Sequence, residues 1–268
     1  MPPTFFSGAI RPFFVGLALL AGGCMSGSPT AQQSAARRMA APVRTDSLLS
    51  TRLELFDAAR QRAVPVMVYE PAHPGPHPAR KAAIFSHGYG GNCTGYTFLA
   101  RNLVAHGYLV ASIQQELPTD APMPTTGVIS LVRRPMWERG AQNIEFVRQE
   151  LSQRYPKIDF KHLLLAGHSN GGDVSMLYVA EHPGQVDRVI SLDNRRVPFP
   201  RARRPRVLSL RSSDQVADPG VLPTPAEQQQ YGTVIVPLPH TIHNDMWDGG
   251  TEAQKAEMNE AVSRFLAN

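Results

Sequence analysis

The sequence predicts an α/β fold in which a mostly parallel sheet of about eight strands carries helices on both faces. Short apolar runs alternate with stretches of helical periodicity along most of the chain, and this alternation is typical of right-handed crossovers between parallel strands. The 268 residues, of which 42% are hydrophobic and 18% charged, are enough for one large domain with its own apolar core. A chain of this size folds without a disulfide framework or a structural metal.

The strands and helices follow in chain order. An antiparallel hairpin, TRLELF and AVPVMVYE, precedes the parallel part of the sheet. Further strands are predicted at Ala82–Phe85, Leu109–Ile113, Leu163–Ala166, Val189–Leu192, Val207–Leu210 and Val234–Leu238. Helices are predicted at Thr97–His106, Trp137–Arg154, Gly171–His182 and Thr251–Leu266, with a short one after Thr224. The last long helix is well supported, because Thr251 opens a capping box and the apolar residues fall on one face.

One motif at a predicted strand–helix junction carries the chemistry. GHSNGG, residues 167–172, contains the pattern G-x-S-x-G, which marks the nucleophile elbow of the α/β-hydrolase fold. The serine of such an elbow sits on a tight, strained turn, and small residues two positions before and after it relieve the crowding. Ser169 is therefore the predicted nucleophile, with its hydroxyl above the sheet at the positive end of the next helix.

A serine hydroxyl needs a base and an acid from other loops at the same edge of the sheet. Among the histidines, only His240 and His243 follow the last predicted strand, and His243 is favoured because it lies past the strand end among polar neighbours. Two residues are candidates for the acid that orients the imidazole. Asp193 ends one predicted strand and Asp214 stands a few residues beyond the next, so the pattern leaves both open.

Acyl transfer also needs hydrogen-bond donors for the oxyanion. The backbone N–H of Asn170, directly after the nucleophile, is one predicted donor. The glycine-rich loop HGYGG, residues 87–91, lets the backbone approach a substrate, and the N–H of Tyr89 is the second. This chemistry requires no cofactor, and the sequence has no metal-ligand spacing such as CxxC.

These motifs resemble those of the α/β-hydrolase superfamily, and within it the platelet-activating factor acetylhydrolases and related bacterial serine esterases. The similarity covers roughly residues 84–245 and rests on FSHGYGG with TGYTFLARNLVAHGYLVAS, on GHSNGG, on LDNRRVPFP and on HTIHND. The resemblance implies that Ser169 is the nucleophile, His243 the base and Asp193 the acid. It also implies that the backbone N–H groups of Tyr89 and Asn170 are the oxyanion donors. It favours Asp193 as the acid, whereas the general pattern of the fold favours Asp214.

The first 48 residues are expected to precede the catalytic domain, residues 49–268. Residues 1–23 hold an apolar run of about a dozen residues, which is typical of an export signal and too short for a membrane-spanning helix. Small residues directly before Cys24 resemble a bacterial lipobox and predict lipidation of that cysteine. Residues 24–48 are predicted to be a flexible tether. We expect an exported protein, either lipid-anchored in the bacterial cell envelope and facing the periplasm, or secreted.

The predicted function is that of a serine hydrolase that cleaves carboxylic esters through an acyl-enzyme. The alternatives are a thioesterase or amidase with the same triad, or a non-catalytic binding protein of this fold. Residues 194–205 are too few for a helical cap domain, so we expect an open cleft between residues 114–135 and 198–200. The expected partners are a small-molecule or lipid ester and, through the anchor, a membrane surface. The net charge of +5 is small, and export argues against nucleic-acid binding.

Overall fold

The computed structural model describes residues 43–45, 48–73 and 80–268. The strands in these ranges are β1 (Val43–Thr45), β2 (Leu48–Asp57), β3 (Arg62–Pro71), β4 (Lys81–Ser86), β5 (Tyr108–Ile113), β6 (Asp159–His168), β7 (Val186–Leu192), β8 (Arg206–Arg211) and β9 (Val234–Pro237). The helices are α1 (Thr97–Ala105), α2 (Ile129–Val132), α3 (Arg134–Arg154), α4 (Asn170–Glu181), α5 (Pro225–Tyr231) and α6 (Glu252–Ala267), with a 3-10 turn at His243–Asp245.

The strands form one sheet in the order β1-β2-β3-β5-β4-β6-β7-β8-β9. The first three strands are antiparallel to their neighbours, and β3 also pairs with β5 in the antiparallel sense. All pairs from β5 to β9 are parallel. The structure confirms the predicted α/β-hydrolase fold, with a mostly parallel sheet that begins in an antiparallel hairpin.

The strand order explains where the GHSNGG and HGYGG motifs can come together. Strand β4 lies between β5 and β6, so the chain leaves β4 toward one side of the sheet and later returns to its other side. The carboxyl ends of β4 and β6 therefore border a crevice, which is the usual ligand position in open α/β sheets. The HGYGG loop follows β4 and the GHSNGG turn follows β6, so the two motifs meet there.

Apolar cores on the two faces of the sheet hold the helices in place. One core packs α3 and α4 against the sheet, and the other packs α1 and α6 on the opposite face. In the first core a Cβ atom at Gly140 would lie 2.6 Å from Cγ2 of Val174, so the absence of a side chain lets α3 approach α4 closely. This packing places the start of α3 beside the serine turn at the start of α4.

Several boundaries differ from the sequence prediction. Strand β6 begins at Asp159 rather than at position 163, because buried Phe160 extends it while the exposed residues Lys161 and His162 conceal the pattern. Helix α3 begins three residues early because Pro135 is tolerated in a first helical turn. Neither α2 nor β1 was predicted. The latter lies inside the predicted tether of residues 24–48, whose end pairs with β2 instead.

The connection between β7 and β8, residues 193–205, contains no helix, which confirms that no cap domain is inserted there. The predicted export signal, residues 1–23, and Cys24 lie outside the described residues. Within the described ranges, no helix combines the length and apolar character needed to cross a membrane.

Candidate active site

Ser169 occupies a sharp turn between β6 and α4. Its φ of 51° and ψ of −118° lie in a region that L-residues rarely adopt, and its N–H donates to the carbonyl of Leu192 at 2.8 Å. A side chain at Gly167 would collide with the backbone of Gly171, and a side chain at Gly171 would collide with the carbonyl oxygen of Ser86. The glycines of the motif are thus steric requirements of the turn, as the sequence pattern predicts.

His243 reaches the serine from the loop after β9. Its Nε2 lies 2.9 Å from the Ser169 hydroxyl, and its Nδ1 lies 2.6 Å from Oδ2 of Asp193. Because a carboxylate only accepts, Nδ1 carries the proton and Nε2 is free to accept the hydroxyl proton. The three side chains form a continuous hydrogen-bonded chain, and His240, the alternative base, is exposed on the same loop.

Asp193 is fully buried directly after β7. It accepts hydrogen bonds from the hydroxyl of Ser212 at 2.6 Å and pairs with the guanidinium of Arg211 at 2.8 Å. Burial alone would raise the pKa of this carboxyl, but the hydrogen bond from His243, the charge of Arg211 and the hydrogen bond from Ser212 lower it below its usual value. Asp193 is therefore ionised and held in one orientation toward the imidazole.

Asp214 does not lie at Nδ1 of His243, where the acid of the triad must be. Its side chain is exposed, and Oδ1 accepts the backbone N–H of His243 at 2.7 Å instead of contacting the ring. Of the two candidate acids, the structure brings only Asp193 to Nδ1 of the imidazole. Asp214 stands beyond the end of β8, where it fastens the backbone of the His243 loop.

A second histidine, His168, contacts the backbone of His243. Its Nε2 lies 3.1 Å from the carbonyl oxygen of His243, so Nε2 must donate, and Nδ1 then accepts the Tyr96 hydroxyl proton at 2.8 Å. The Tyr96 oxygen in turn accepts the N–H of Gly88 at 3.2 Å. Burial, followed by the nearby imidazole of His243, lowers the pKa of His168 to about 3, which keeps this ring neutral.

The two predicted oxyanion donors belong to the residue directly after Ser169 and to the HGYGG loop. A Cβ atom at Gly88 would lie 3.5 Å from Cβ of Ser169, so the HGYGG loop runs directly against the elbow. The backbone N–H groups of Tyr89 and Asn170 donate to no protein acceptor in the described part of the chain. The Tyr89 side chain is 43% exposed and its hydroxyl accepts the N–H of Met123 at 3.0 Å, which joins this loop to the opposite wall.

Several side chains around the triad were not identified from the sequence. Arg211 and Ser212 could have been noticed, because Arg211 ends β8, Ser212 follows it, and a strand end is where such side chains gather. His168 was assigned only to the backbone of the elbow. Glu116 lies in the predicted wall of residues 114–135, and its carboxylate accepts a hydrogen bond from the Asn170 side chain at 3.1 Å.

No group of three or more His, Cys, Asp or Glu side chains that could hold a metal ion occurs among the residues that the structure describes. Cys93 is unpaired and buried, and its backbone N–H donates to Gln114 at 3.0 Å. The contact of the Cys93 thiol is with the guanidinium of Arg52 at 3.8 Å, and it takes no part in the hydrogen bonds of the triad.

The chain is similar to known hydrolases in part of its sequence and in its fold. A family model described as "Serine aminopeptidase, S33" matches residues 77–192, which is less than half of the chain. No curated protein gives a significant match. Solved structures with the same fold include esterase 2 of the planctomycete Thermogutta terrifontis. Its native form is 15% identical with a TM-score of 0.60, covering 80% of this chain and 90% of that one.

The same esterase phosphorylated by paraoxon is 14% identical with a TM-score of 0.61, and the match covers 81% of this chain and 93% of that chain. Its propionate-bound form is 14% identical with a TM-score of 0.60, covering 80% and 92%. At this level of identity the likeness establishes the α/β-hydrolase fold of the chain.

The neutral state of His168 predicts a pH dependence of folding. Because its pKa is lowered in the folded protein, the unfolded chain binds more protons between about pH 3 and 6.5, and stability falls as the pH drops through this range. Between pH 7 and pH 5 this group contributes a loss of about 2 kcal/mol. His168→Gln should remove that share of the dependence, measured as the free energy of urea unfolding at both pH values.

The exposed His240→Gln is the matched control and should keep the wild-type dependence on pH. If His168→Gln and His240→Gln show the same difference between pH 5 and pH 7, the assignment of a neutral, buried His168 is wrong.

Proposed function

We propose that the protein is a serine hydrolase that cleaves carboxylic esters of small molecules through an acyl-enzyme. The observation that carries this proposal is the hydrogen-bonded chain from the Ser169 hydroxyl through His243 to the carboxylate of Asp193, with links of 2.9 and 2.6 Å. A hydroxyl, an imidazole and an ionised carboxylate in this order have the geometry that nucleophilic acyl transfer requires.

In the first half of the reaction, Ser169 Oγ attacks the ester carbonyl carbon while His243 Nε2 takes the hydroxyl proton. The carbonyl oxygen becomes an oxyanion and accepts hydrogen bonds from the N–H groups of Tyr89 and Asn170. When the tetrahedral intermediate collapses, the carbon–oxygen bond to the alcohol breaks and His243 gives its proton to the leaving oxygen. The acyl group is then bound to Ser169 as an ester.

In the second half, a water molecule attacks the acyl carbon and His243 accepts its proton. Breakdown of the second tetrahedral intermediate releases the carboxylic acid and returns the proton to Ser169. The imidazolium that forms in each half is stabilised by Asp193. Because Arg211 and Ser212 hold this carboxylate in place, it offers the negative charge without having to reorient.

We propose further that the acyl group of this ester is short, on the basis of the surroundings of the triad and of the comparisons. The connection between β7 and β8 carries no helix that could cover this edge of the sheet, and the proposed cleft lies between residues 114–135 and 198–200. The Thermogutta esterase has been solved with propionate and with butyrate bound. The resemblance to platelet-activating factor acetylhydrolases favours acyl groups of similar size.

Cleavage of amides or thioesters is a second candidate function. The match of residues 77–192 to the serine aminopeptidase model favours amide cleavage, and the same triad serves both reactions. A protein of this fold that only binds its ligand is the third possibility. The triad geometry argues against it, because a binding protein does not require a base aligned on a serine hydroxyl.

We also propose that the protein is exported and held at the bacterial cell envelope through a lipid on Cys24, or is secreted. The support is the sequence of residues 1–24, with an apolar run and small residues before the cysteine. An envelope location would place lipid esters within reach of the site.

Loss of the nucleophile tests the proposal directly. Ser169→Ala should reduce hydrolysis of p-nitrophenyl acetate by a factor of about 10³ or more, because the acyl-enzyme can no longer form. Matched p-nitrophenyl ester, thioester and p-nitroanilide substrates, assayed by kcat/KM, identify the preferred bond. A folded wild-type protein that hydrolyses none of them would contradict the proposed function.

The two aspartates give a second test. Asp193→Asn should lower kcat by a factor of about 10⁴, because an amide cannot stabilise the imidazolium or select the required tautomer. Asp214→Asn keeps an oxygen that can accept the N–H of His243 and should lower kcat less than about tenfold. Steady-state kinetics on the same ester, with thermal unfolding of both variants as the control for folding, separate the two. Equal losses would refute the assignment of Asp193.

A further inference from the structure

Glu116 is a buried acid beside the proposed oxyanion donors that the triad mechanism does not use. It follows β5, and its side chain is 14% exposed. Oε1 accepts a hydrogen bond from Nδ2 of Asn170 at 3.1 Å. Oε2 is buried and has no hydrogen-bond partner in the described part of the chain. A buried carboxylate oxygen left in this state is costly unless the group is protonated or serves a function.

The groups around Glu116 do not neutralise it. Nδ1 of His87 lies 3.4 Å from Oε2, but its proton is directed to the carbonyl of Gly88 at 2.8 Å, since Nε2 accepts the N–H of Gln115. Burial lowers the pKa of His87, which keeps this ring neutral. The nearest charged groups are therefore two arginines and an aspartate.

Both arginines direct their ion pairs to the one aspartate, so the three groups keep a net charge of +1 without either guanidinium pairing directly with Glu116. Asp120, on the same loop, pairs with Arg62 of β3 at 2.7 Å and with Arg139 of α3 at 3.3 Å. Burial raises the pKa of Glu116 to about 7, with Arg139 and the Asn170 hydrogen bond opposing the rise. Around neutral pH the acid is thus divided between its two forms.

Asn170 connects Glu116 to the reaction. Its Oδ1 accepts the indole N–H of Trp137 at 2.8 Å, and its Nδ2 donates to Glu116, so both ends of the amide are held. The backbone N–H of the same residue is a proposed oxyanion donor, directly after the strained Ser169. Holding the side chain at both ends restricts the backbone that carries this donor.

We propose that Glu116 is a positioning residue that works in its neutral, protonated form: it fixes the Asn170 donor without bringing a negative charge beside the developing oxyanion. This inference rests on the proposed function. The neutral acid keeps the carbonyl oxygen that Asn170 needs as an acceptor. The carboxylate keeps the same acceptor but repels the oxyanion, which raises the barrier to acyl transfer.

The proposal has a defined pH signature. On the alkaline side, ionisation of Glu116 above about pH 7 adds negative charge near the oxyanion, so kcat of the wild type declines there. A purely structural Glu116 would leave no alkaline decline of this origin.

Two substitutions separate the roles. Glu116→Ala removes the acceptor for Asn170 and should lower kcat about tenfold or more at pH 6, with a smaller change in KM. Glu116→Gln restores the acceptor but cannot ionise, so it should recover most of that loss at pH 6 and show no decline in kcat above pH 7. Glu138→Gln, a change on α3 at a side chain that is 44% exposed, is the matched control and should keep the wild-type profile.

The experiment is the dependence of kcat and KM on pH for hydrolysis of p-nitrophenyl acetate, between pH 5 and pH 9, with thermal unfolding of each variant. An alkaline decline that persists in Glu116→Gln, an inactive but folded Glu116→Gln, or a folded Glu116→Ala with wild-type kcat would each overturn the inference. In all of these the wild type still hydrolyses the ester. A wild type without activity would instead refute the proposed function itself.

Discussion

The steric demand of the turn at Ser169 organises the rest of the site. The residue has a positive φ, and this conformation persists only because the surrounding backbone leaves no alternative. Gly167 and Gly171 remove the two side chains that would collide there, which brings the start of α4 against the end of β4. The N–H of Ser169 is tied to β7 through the carbonyl of Leu192. Three parallel strands thus hold one hydroxyl at the crevice where the strand order reverses.

The buried polar groups around this turn are held in different charge states. Asp193 is kept ionised, because Arg211 and Ser212 supply charge and hydrogen bonds that outweigh the effect of burial. His168 is kept neutral by the same burial, so it fixes the His243 backbone without adding a second positive charge beside the imidazolium. Such opposite outcomes within one buried cluster are what acid–base chemistry near neutral pH requires.

The fold and the nucleophile could be predicted from the sequence because both depend on local patterns. The alternation of strands and helices is visible in the spacing of the apolar residues along the chain. The pattern G-x-S-x-G indicates a tight turn that only small residues permit. The choice between Asp193 and Asp214 could not be made from the residue pattern, because both follow strands at the same edge. It depends on which carboxylate points toward the ring and which toward the backbone, a tertiary property. Glu116 was missed because its importance comes from burial and an unpartnered oxygen, which no spacing reveals.

The most direct test of the account is covalent labelling of the intact protein with paraoxon, followed by peptide mapping by mass spectrometry. The account predicts a single diethylphosphoryl group on the peptide that contains Ser169, because only this hydroxyl is aligned on a base. Protein that is unfolded before it is exposed to paraoxon should not become labelled at Ser169. A folded protein that takes up no label, or takes it up at another serine or tyrosine, would contradict the central claim.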